Sequence, residues 1–422
     1  MQIWTWLVGL VIGIAVVYTL LYFLGRRRRT PDWKWDQDAV PTITDLAATL
    51  SGLTRSPVYD GNSAEVFTNG AIFDPIFSDL EQAQHTINLE TFVWWGGRLE
   101  RRLADALLAA CRRGVKVRVT ADGVGAMKRS SGIFEELRAA GVRVEIYCPV
   151  RPWTLHRFNE RTHRKLLIID GRIGYTMGHG VADEWLGDAH SEDHFRDTGL
   201  RLQGPVVHGL QTVFAENWTQ LTDELLVGDT VFPPLEESGN SVALVISSSS
   251  GDDFSNVEIG FAMALAAARE EILIQNPYFA PDRNVVRLMC ETAARGVRIR
   301  LMVPGEAIDA QVLRRAARHL YPTLIEAGVE VMEYRPTLSH QKVMVIDGTW
   351  SRIGSTNLDC RSLELNEEAG VFICDTGIAA TLRQQFIADT RHCTKINAEQ
   401  CEQLGFTTRM FDAGAYLIHG QL

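Results

Sequence analysis

Apolar and polar positions along the chain follow two regimes. From Ile3 to Leu24 the run IWTWLVGLVIGIAVVYTLLYFL is uncharged and apolar on every face, which predicts one long helix. A helix of ~20 apolar residues spans the hydrocarbon core of a bilayer. Trp4 and Trp6 stand near one end and Tyr18 and Tyr22 near the other, where interfacial aromatic belts form, and Arg26 to Arg29 follow at once. A cleavable signal peptide carries its charges ahead of the apolar run, and here only Met1 and Gln2 precede it. The pattern therefore predicts a transmembrane helix over 3–24, with the arginines and the rest of the chain on the cytoplasmic side. Gly9 and Gly13 form a G-x-x-x-G in that run, a spacing that would let two anchors meet in a homodimer.

Beyond this segment the pattern changes. Residues 25–60 mix Pro, Asp, Ser and Gly around one short helical pattern and read as a basic juxtamembrane linker and lead-in segment. Short alternating apolar runs then interleave with helical stretches, the signature of an α/β fold. The runs come in two series. ACRRGVKVRVTAD (110–122) is echoed by AARGVRIRLMVP (293–304), AAGVRVEIY (139–147) by EAGVEVMEY (326–334), and HTINLETFVW (85–94) by EEILIQNPYF (270–279). Two similar halves are expected over 61–224 and 255–395, joined by a linker over 225–254 and followed by a C-terminal tail over 396–422.

Composition narrows the partners. The 422 residues are 46% hydrophobic and 22% charged, with a formal net charge of −10, so the chain lacks the basic footprint of a general nucleic-acid binder. Seven scattered cysteines form no C-x-x-C pair, so neither a zinc site nor a disulfide framework is signalled, and reduced thiols are expected. Ahead of the first motif below, one loop carries Arg151, Trp153, His156, Arg157, Phe158 and Arg161, side chains suited either to solvent or to anionic lipid headgroups.

The chemistry lies in a repeated nonapeptide. THRKLLIID places His163, Lys165 and Asp170, and SHQKVMVID places His340, Lys342 and Asp347 in the same order. On a strand, side chains two apart share a face, so each histidine projects beside its lysine, while LLII and VMVI bury the strand. Two such strands meeting at a twofold interface would bring together two imidazoles and two cations, a set suited to a phosphodiester. One histidine would attack phosphorus, the other would protonate the leaving oxygen, and the lysines would stabilise the phosphoryl charge. No metal and no cofactor is called for. Downstream, Ser355 and Asn357 in GSTNLDCRSLELNEE could reach the phosphate. Glu368 is the expected orienting partner in the second half and Asp197 in the first.

These residues resemble the phospholipase D superfamily, whose signature is H-x-K-x-x-x-x-D twice, followed by G-S-x-N. Segments from about Gly61 to Thr390, among them INLETFVW, GVADEW, FRDTGLRLQGP and QNPYFAPD, are similar to bacterial cardiolipin synthases. The resemblance implies two α/β/α halves about a pseudo-twofold axis, with Asp170 and Asp347 mainly architectural. It implies transfer of a phosphatidyl group between phosphatidylglycerol molecules through a phosphohistidine, with release of glycerol. With the apolar run, it places the chain in the bacterial inner membrane, single-pass, acting on phosphatidylglycerol and other phospholipids. Hydrolysis to phosphatidic acid and a catalytically silent lipid-binding role are the alternatives, and a nuclease fits poorly with the acidic balance. The first half departs from the signature: Met177, Gly178, His179 and Gly180 replace its G-S-x-N, and His179 is the candidate substitute donor.

Overall fold

A computed structural model of the protein describes residues 2–23, 31–36, 39–43, 45–249 and 251–421. Arg26 to Arg29 lie outside the described residues. The first half supplies β1 (Tyr59–Thr68), β2 (Thr86–Thr91), β3 (Lys116–Asp122), β4 (Arg143–Tyr147), β5 (Leu166–Ile169), β6 (Ile173–Met177) and β7 (Thr198–Gln203). The second supplies β8 (Ser241–Ser248), β9 (Glu271–Gln275), β10 (Phe279–Ala280), β11 (Arg298–Pro304), β12 (Glu330–Tyr334), β13 (Val343–Ile346), β14 (Trp350–Gly354), β15 (Leu358–Asp359), β16 (Glu368–Cys374) and β17 (Cys393–Ile396).

Fifteen of these strands form one mixed sheet. Read outward from its centre, the order is β1-β7-β6-β5-β2-β3-β4 on one side and β8-β16-β14-β13-β9-β11-β12 on the other, where β17 adds an edge. Each strand of the first half thus has a counterpart at the same rank in the second. The halves are related by a pseudo-twofold axis at the antiparallel β1–β8 pair, where Tyr59 faces Ala243 and Asn62 faces Ser241 across a register shift.

The two motif strands are buried on both faces, and period two divides their side chains. Leu167 and Ile169 of β5 join the first half's outer core, while Leu166 and Ile168 join a central core. In β13, Met344 and Ile346 enter the second half's outer core, and Val343 and Val345 enter the same central core. That central core also takes Phe214 and Trp218 from the helix Val207–Thr222 and Leu382 and Phe386 from the helix Thr376–Thr390, so the halves share one apolar interior.

Several sequence expectations change. No helix among the described residues is long and apolar enough to cross a membrane. The helix Gln2–Phe23 forms as an element. The expected single-pass span, and with it the placement in the bacterial inner membrane with a cytoplasmic catalytic region, does not stand. Among the described residues no atom lies within 4 Å of a Cβ placed on Gly9 or Gly13.

The segment 225–254, expected as a linker, contains β8, whose apolar run VALVI is largely buried between β1 and β16 and which pairs with all of β16. In the lead-in segment, the helix Leu46–Thr54 buries Leu46 and Leu50, and Trp33 Nε1 donates to Glu258 Oε1 at 2.9 Å. The tail folds as well: helices Ala398–Glu402 and Phe406–Leu417 pack on the helix Gln311–Glu326. Arg161, read as an outward basic residue, is buried and donates to the carbonyls of Cys148 and Arg157. The side chains of Trp153 and His156 lie outside the described residues.

Candidate active site

Each motif residue takes its place from the strand it flanks. His163 and Lys165 lead into β5, and His340 and Lys342 lead into β13; all four are buried, the imidazoles 7% and 6% exposed. Each lysine folds back on its own motif, Lys165 Nζ donating to the His163 carbonyl and Lys342 Nζ to the His340 carbonyl, both at 2.7 Å. The motif aspartates sit at the far ends of these strands, away from the imidazoles. Asp170 accepts the backbone N–H groups of Gln84, His85 and Thr86 at 2.6–2.8 Å, and Asp347 those of Arg269, Glu270 and Glu271 at 2.8–2.9 Å. Both have positive φ, 53° and 47°. They pin β5 to the start of β2 and β13 to the start of β9.

The orienting carboxylates are exchanged between the halves. Asp197 and Glu368 were each expected to serve the histidine of their own half. Instead His163 Nδ1 donates to Glu368 Oε1 at 2.9 Å, and His340 Nδ1 donates to Asp197 Oδ2 at 2.8 Å. The backbone explains the exchange. The His163 N–H donates to the Glu367 carbonyl at 2.8 Å, and the His340 N–H to the Arg196 carbonyl at 2.7 Å, so each motif is stitched to the residue preceding the other half's carboxylate. Carboxylate acceptors fix the proton on Nδ1 of both rings and leave Nε2 as the atom that can face a substrate.

The two carboxylates are held differently, which accounts for the departure at Gly178 and Gly180. In the second half, the Ser355 hydroxyl donates to Glu368 Oε2. A Cβ at Gly178 would lie 2.2 Å from Asp197 Oδ1, so no serine fits there. Asp197 takes its second side-chain donor from Trp185, whose Nε1 is 2.8 Å from Oδ2 and whose ring stands edge-on to His340 at 5.3 Å. At Gly180 a Cβ would come within 2.6 Å of Val93 Cβ and 2.9 Å of the Trp185 ring, so an asparagine is excluded too. Asn357 keeps its place in the second half, buried, with no partner for its Oδ1 among the described residues. His179 does not replace it as a donor. Its Nε2 donates to the Asn69 carbonyl at 2.8 Å, which leaves Nδ1 a lone pair with nothing to donate.

Charge in the pocket is balanced and compressed. Burial, followed by the Lys342 ammonium, pushes the His340 pKa down to about 3. For His163, burial outweighs the Glu368 carboxylate and brings the pKa down to about 4. Burial raises Glu368, but the His163 ring and Lys165 outweigh it and hold the group at about 2; Asp197 is likewise kept low by His179, His340 and Lys342. Lys165, desolvated and facing Lys342, falls to about 7, and Lys342, chiefly desolvated, to about 8. At neutral pH both rings are therefore neutral, while Lys342 and a partly protonated Lys165 face two carboxylates. Among the described residues no group of three or more His, Cys, Asp or Glu could hold a metal ion.

Several contributors carry no sequence signature of their own. Trp185 is one. Glu367 anchors the His163 backbone and accepts from Tyr147 Oη at 2.7 Å, with Arg164 3.8 Å away. Arg196, at the equivalent position ahead of β7, is paired with Asp389 at 3.2 Å. Spacing gave no hint of these, since their partners lie far off in sequence. The GVADEW segment offered the one usable signal: Asp183 accepts the N–H groups of Arg98 and Leu99 at the start of the helix Arg98–Arg112 and so fixes Trp185.

Residues 76–183 and 262–390 match the protein family described as cardiolipin synthase, PLD-like domain. The cardiolipin synthase of Geobacillus kaustophilus (strain HTA426) is 36% identical over 369 residues, covering 86% of this chain and 73% of that one. The major cardiolipin synthase of Bacillus subtilis (strain 168) is 33% identical over 394 residues, covering 92% and 81%. Among solved structures, phosphatidylserine synthase from Haemophilus influenzae Rd KW20 superposes with a TM-score of 0.68 at 13% identity, covering 89% of this chain and all of that one. At that identity the likeness concerns the fold alone.

Proposed function

The chain belongs to the phospholipase D superfamily as a cardiolipin synthase-like enzyme, and from that membership we propose that it transfers a phosphatidyl group between two phosphatidylglycerol molecules, releasing glycerol. The observation that carries the reading is the pair of neutral imidazoles, each held at Nδ1 by a carboxylate of the other half, with two buried lysines beside them. A phosphodiester anion bound there meets both ammonium groups, and its charge raises the depressed pKa values of the lysines and the rings.

In the proposed sequence His163 Nε2 attacks phosphorus while the bond to the departing glycerol oxygen breaks. The bound anion raises the pKa of the His340 ring, whose Nε2 takes a proton from Lys342 Nζ and delivers it to that oxygen. The hydroxyl of a second phosphatidylglycerol then gives its proton back to His340 and attacks phosphorus, and the bond to His163 breaks. One difference favours this assignment. No bond among the described residues engages Nε2 of His163, whereas Lys342 Nζ lies over the His340 ring, 2.9 Å from Nδ1 and 3.0 Å from Nε2, within reach to exchange a proton with it. A small apolar cavity beside Lys165, walled by the buried side chains of Phe73, Phe77, Leu103 and Met177, lies within the first half's outer core.

The test is mass spectrometry of products from pure phosphatidylglycerol. Cardiolipin with glycerol is expected, and phosphatidic acid alone would mean that water is the acceptor. His163→Ala and His340→Ala should each reduce turnover at least ~10³-fold, as loss of a nucleophile or of its proton donor does. Acid quenching of the wild type should trap phosphorus on the peptide containing His163.

A further inference from the structure

The C-terminal helix Phe406–Leu417 is apolar on two opposite faces. Its inward face carries Asp412, Ala415 and Tyr416, and is fixed to the fold by ion pairs from Arg315 and Arg318 to Asp412 at 3.6 and 3.3 Å. Its outward face carries Phe406, Met410 and Leu417, four and seven residues apart on one side of a 3.6-residue helix, with Phe411 and the following Ile418 beside them. These five side chains are 74%, 59%, 83%, 67% and 51% exposed. A contiguous exposed apolar patch marks a partner site.

The patch stands next to the active-site mouth. Tyr416 Oη donates to the Pro281 carbonyl at 3.4 Å, and Pro281 follows β10, which pairs with β15 directly after Asn357. The turn His419–Gln421 packs on the helix Cys360–Glu364, the next element beyond β15. Exposed Met127, Val150 and Phe254 stand on loops that leave β3, β4 and β8 at the edge of the sheet where His163 and Glu368 meet. Basic side chains border the outward face: the Arg315 guanidinium lies 5.7 Å from the Phe411 ring, and Arg409, exposed, donates from Nε to the Leu404 carbonyl at 3.0 Å.

We propose that this helix lies flat in the surface of an anionic phospholipid bilayer, with Phe406, Met410, Phe411, Leu417 and Ile418 in the headgroup and upper acyl region, and delivers lipid to the site beside it. An amphipathic helix with aromatic and aliphatic side chains on one face and cations at its border binds an interface in this way. The inference rests on the reading of phospholipid as substrate, because that reading makes the bilayer the source of what enters the mouth.

Hydrogen exchange on the full chain tests the contact without depending on catalysis. With vesicles of phosphatidylglycerol and phosphatidylethanolamine, the amides of 406–418 should exchange roughly fivefold slower or more than without lipid. Unchanged exchange in the presence of vesicles overturns the proposal. So does protection that appears without lipid and grows with protein concentration, which would make a second copy the occupant. In turnover, the combined variant Phe406→Ser, Phe411→Ser, Leu417→Ser should lose roughly tenfold or more on vesicles while keeping its rate on short-chain monomeric phosphatidylglycerol. Equal loss on both substrates, or no loss on either, overturns the proposal. If the wild type protects 406–418 on vesicles but produces no cardiolipin, the reading of the reaction fails and the bilayer contact stands.

Discussion

At the scale of single residues, the site is organised around what holds two carboxylates. Trp185→Phe keeps the ring against His340 but removes the Nε1 donor to Asp197. A hydrogen bond to a charged acceptor is worth ~1.5–3 kcal/mol, so kcat should fall roughly 10–100-fold with KM nearly unchanged. The acid limb of the kcat profile should move with it, whereas a purely structural loss would lower amplitude at every pH. Gly180→Asn, which writes the signature residue into the first half, should not improve the enzyme. Its Cβ overlaps Val93 and Trp185, an overpacking cost of ~1–3 kcal/mol readable as a lower Tm with reduced turnover. The histidines and lysines were legible in the sequence because two copies of one spacing lift them above chance. The pairing of carboxylate with histidine was not, because Asp197 and Glu368 each lie a short distance downstream of one motif in sequence and against the other in space.

At the scale of elements, the motif aspartates do mechanical work. Asp170 terminates β5 at φ 53° and gathers three backbone N–H groups ahead of β2, tying a hairpin strand to its neighbour. Asp170→Ala leaves those donors without their acceptor and puts an alanine in the left-handed region. A loss of ~2–4 kcal/mol follows, and urea unfolding should show it as a lower midpoint with an unchanged slope. Asp170→Asn, which tolerates that backbone region and retains one oxygen, should lose less. Motif strands such as LLII and VMVI could be placed from sequence because apolar runs of four flanked by turns have few other uses. β8 escaped because its apolar run VALVI leads into four serines that read as loop, although such a run is that of a strand buried on both faces. The C-terminal helices escaped because part of their apolar surface faces outward, which blurs the usual one-sided pattern.

At the scale of the whole molecule, the central core and the exchanged carboxylates make the two halves one unit, and the pocket they share has a characteristic response to pH. Two lysines at about 7 and 8 and two rings well below neutrality mean that the empty site is short of protons. A bound phosphodiester anion raises all four, so binding takes up protons. Affinity for a phosphatidylglycerol analogue should therefore be strongest below the free-site lysine values and weaken as pH rises through about 7 to 8. Calorimetry in buffers of different ionisation enthalpy near pH 7.5 should show uptake of a sizeable fraction of a proton per ligand. No uptake would mean that the lysines are already fully charged. The reciprocal stitching of each motif to the opposite half also bears on ancestry. A single half docked on its own duplicate would already have possessed every one of these contacts, so joining the two genes would have cost the enzyme nothing at the reaction centre. Departures from symmetry can then be met inside one half: with Trp185 donating to Asp197, no serine is needed at Gly178.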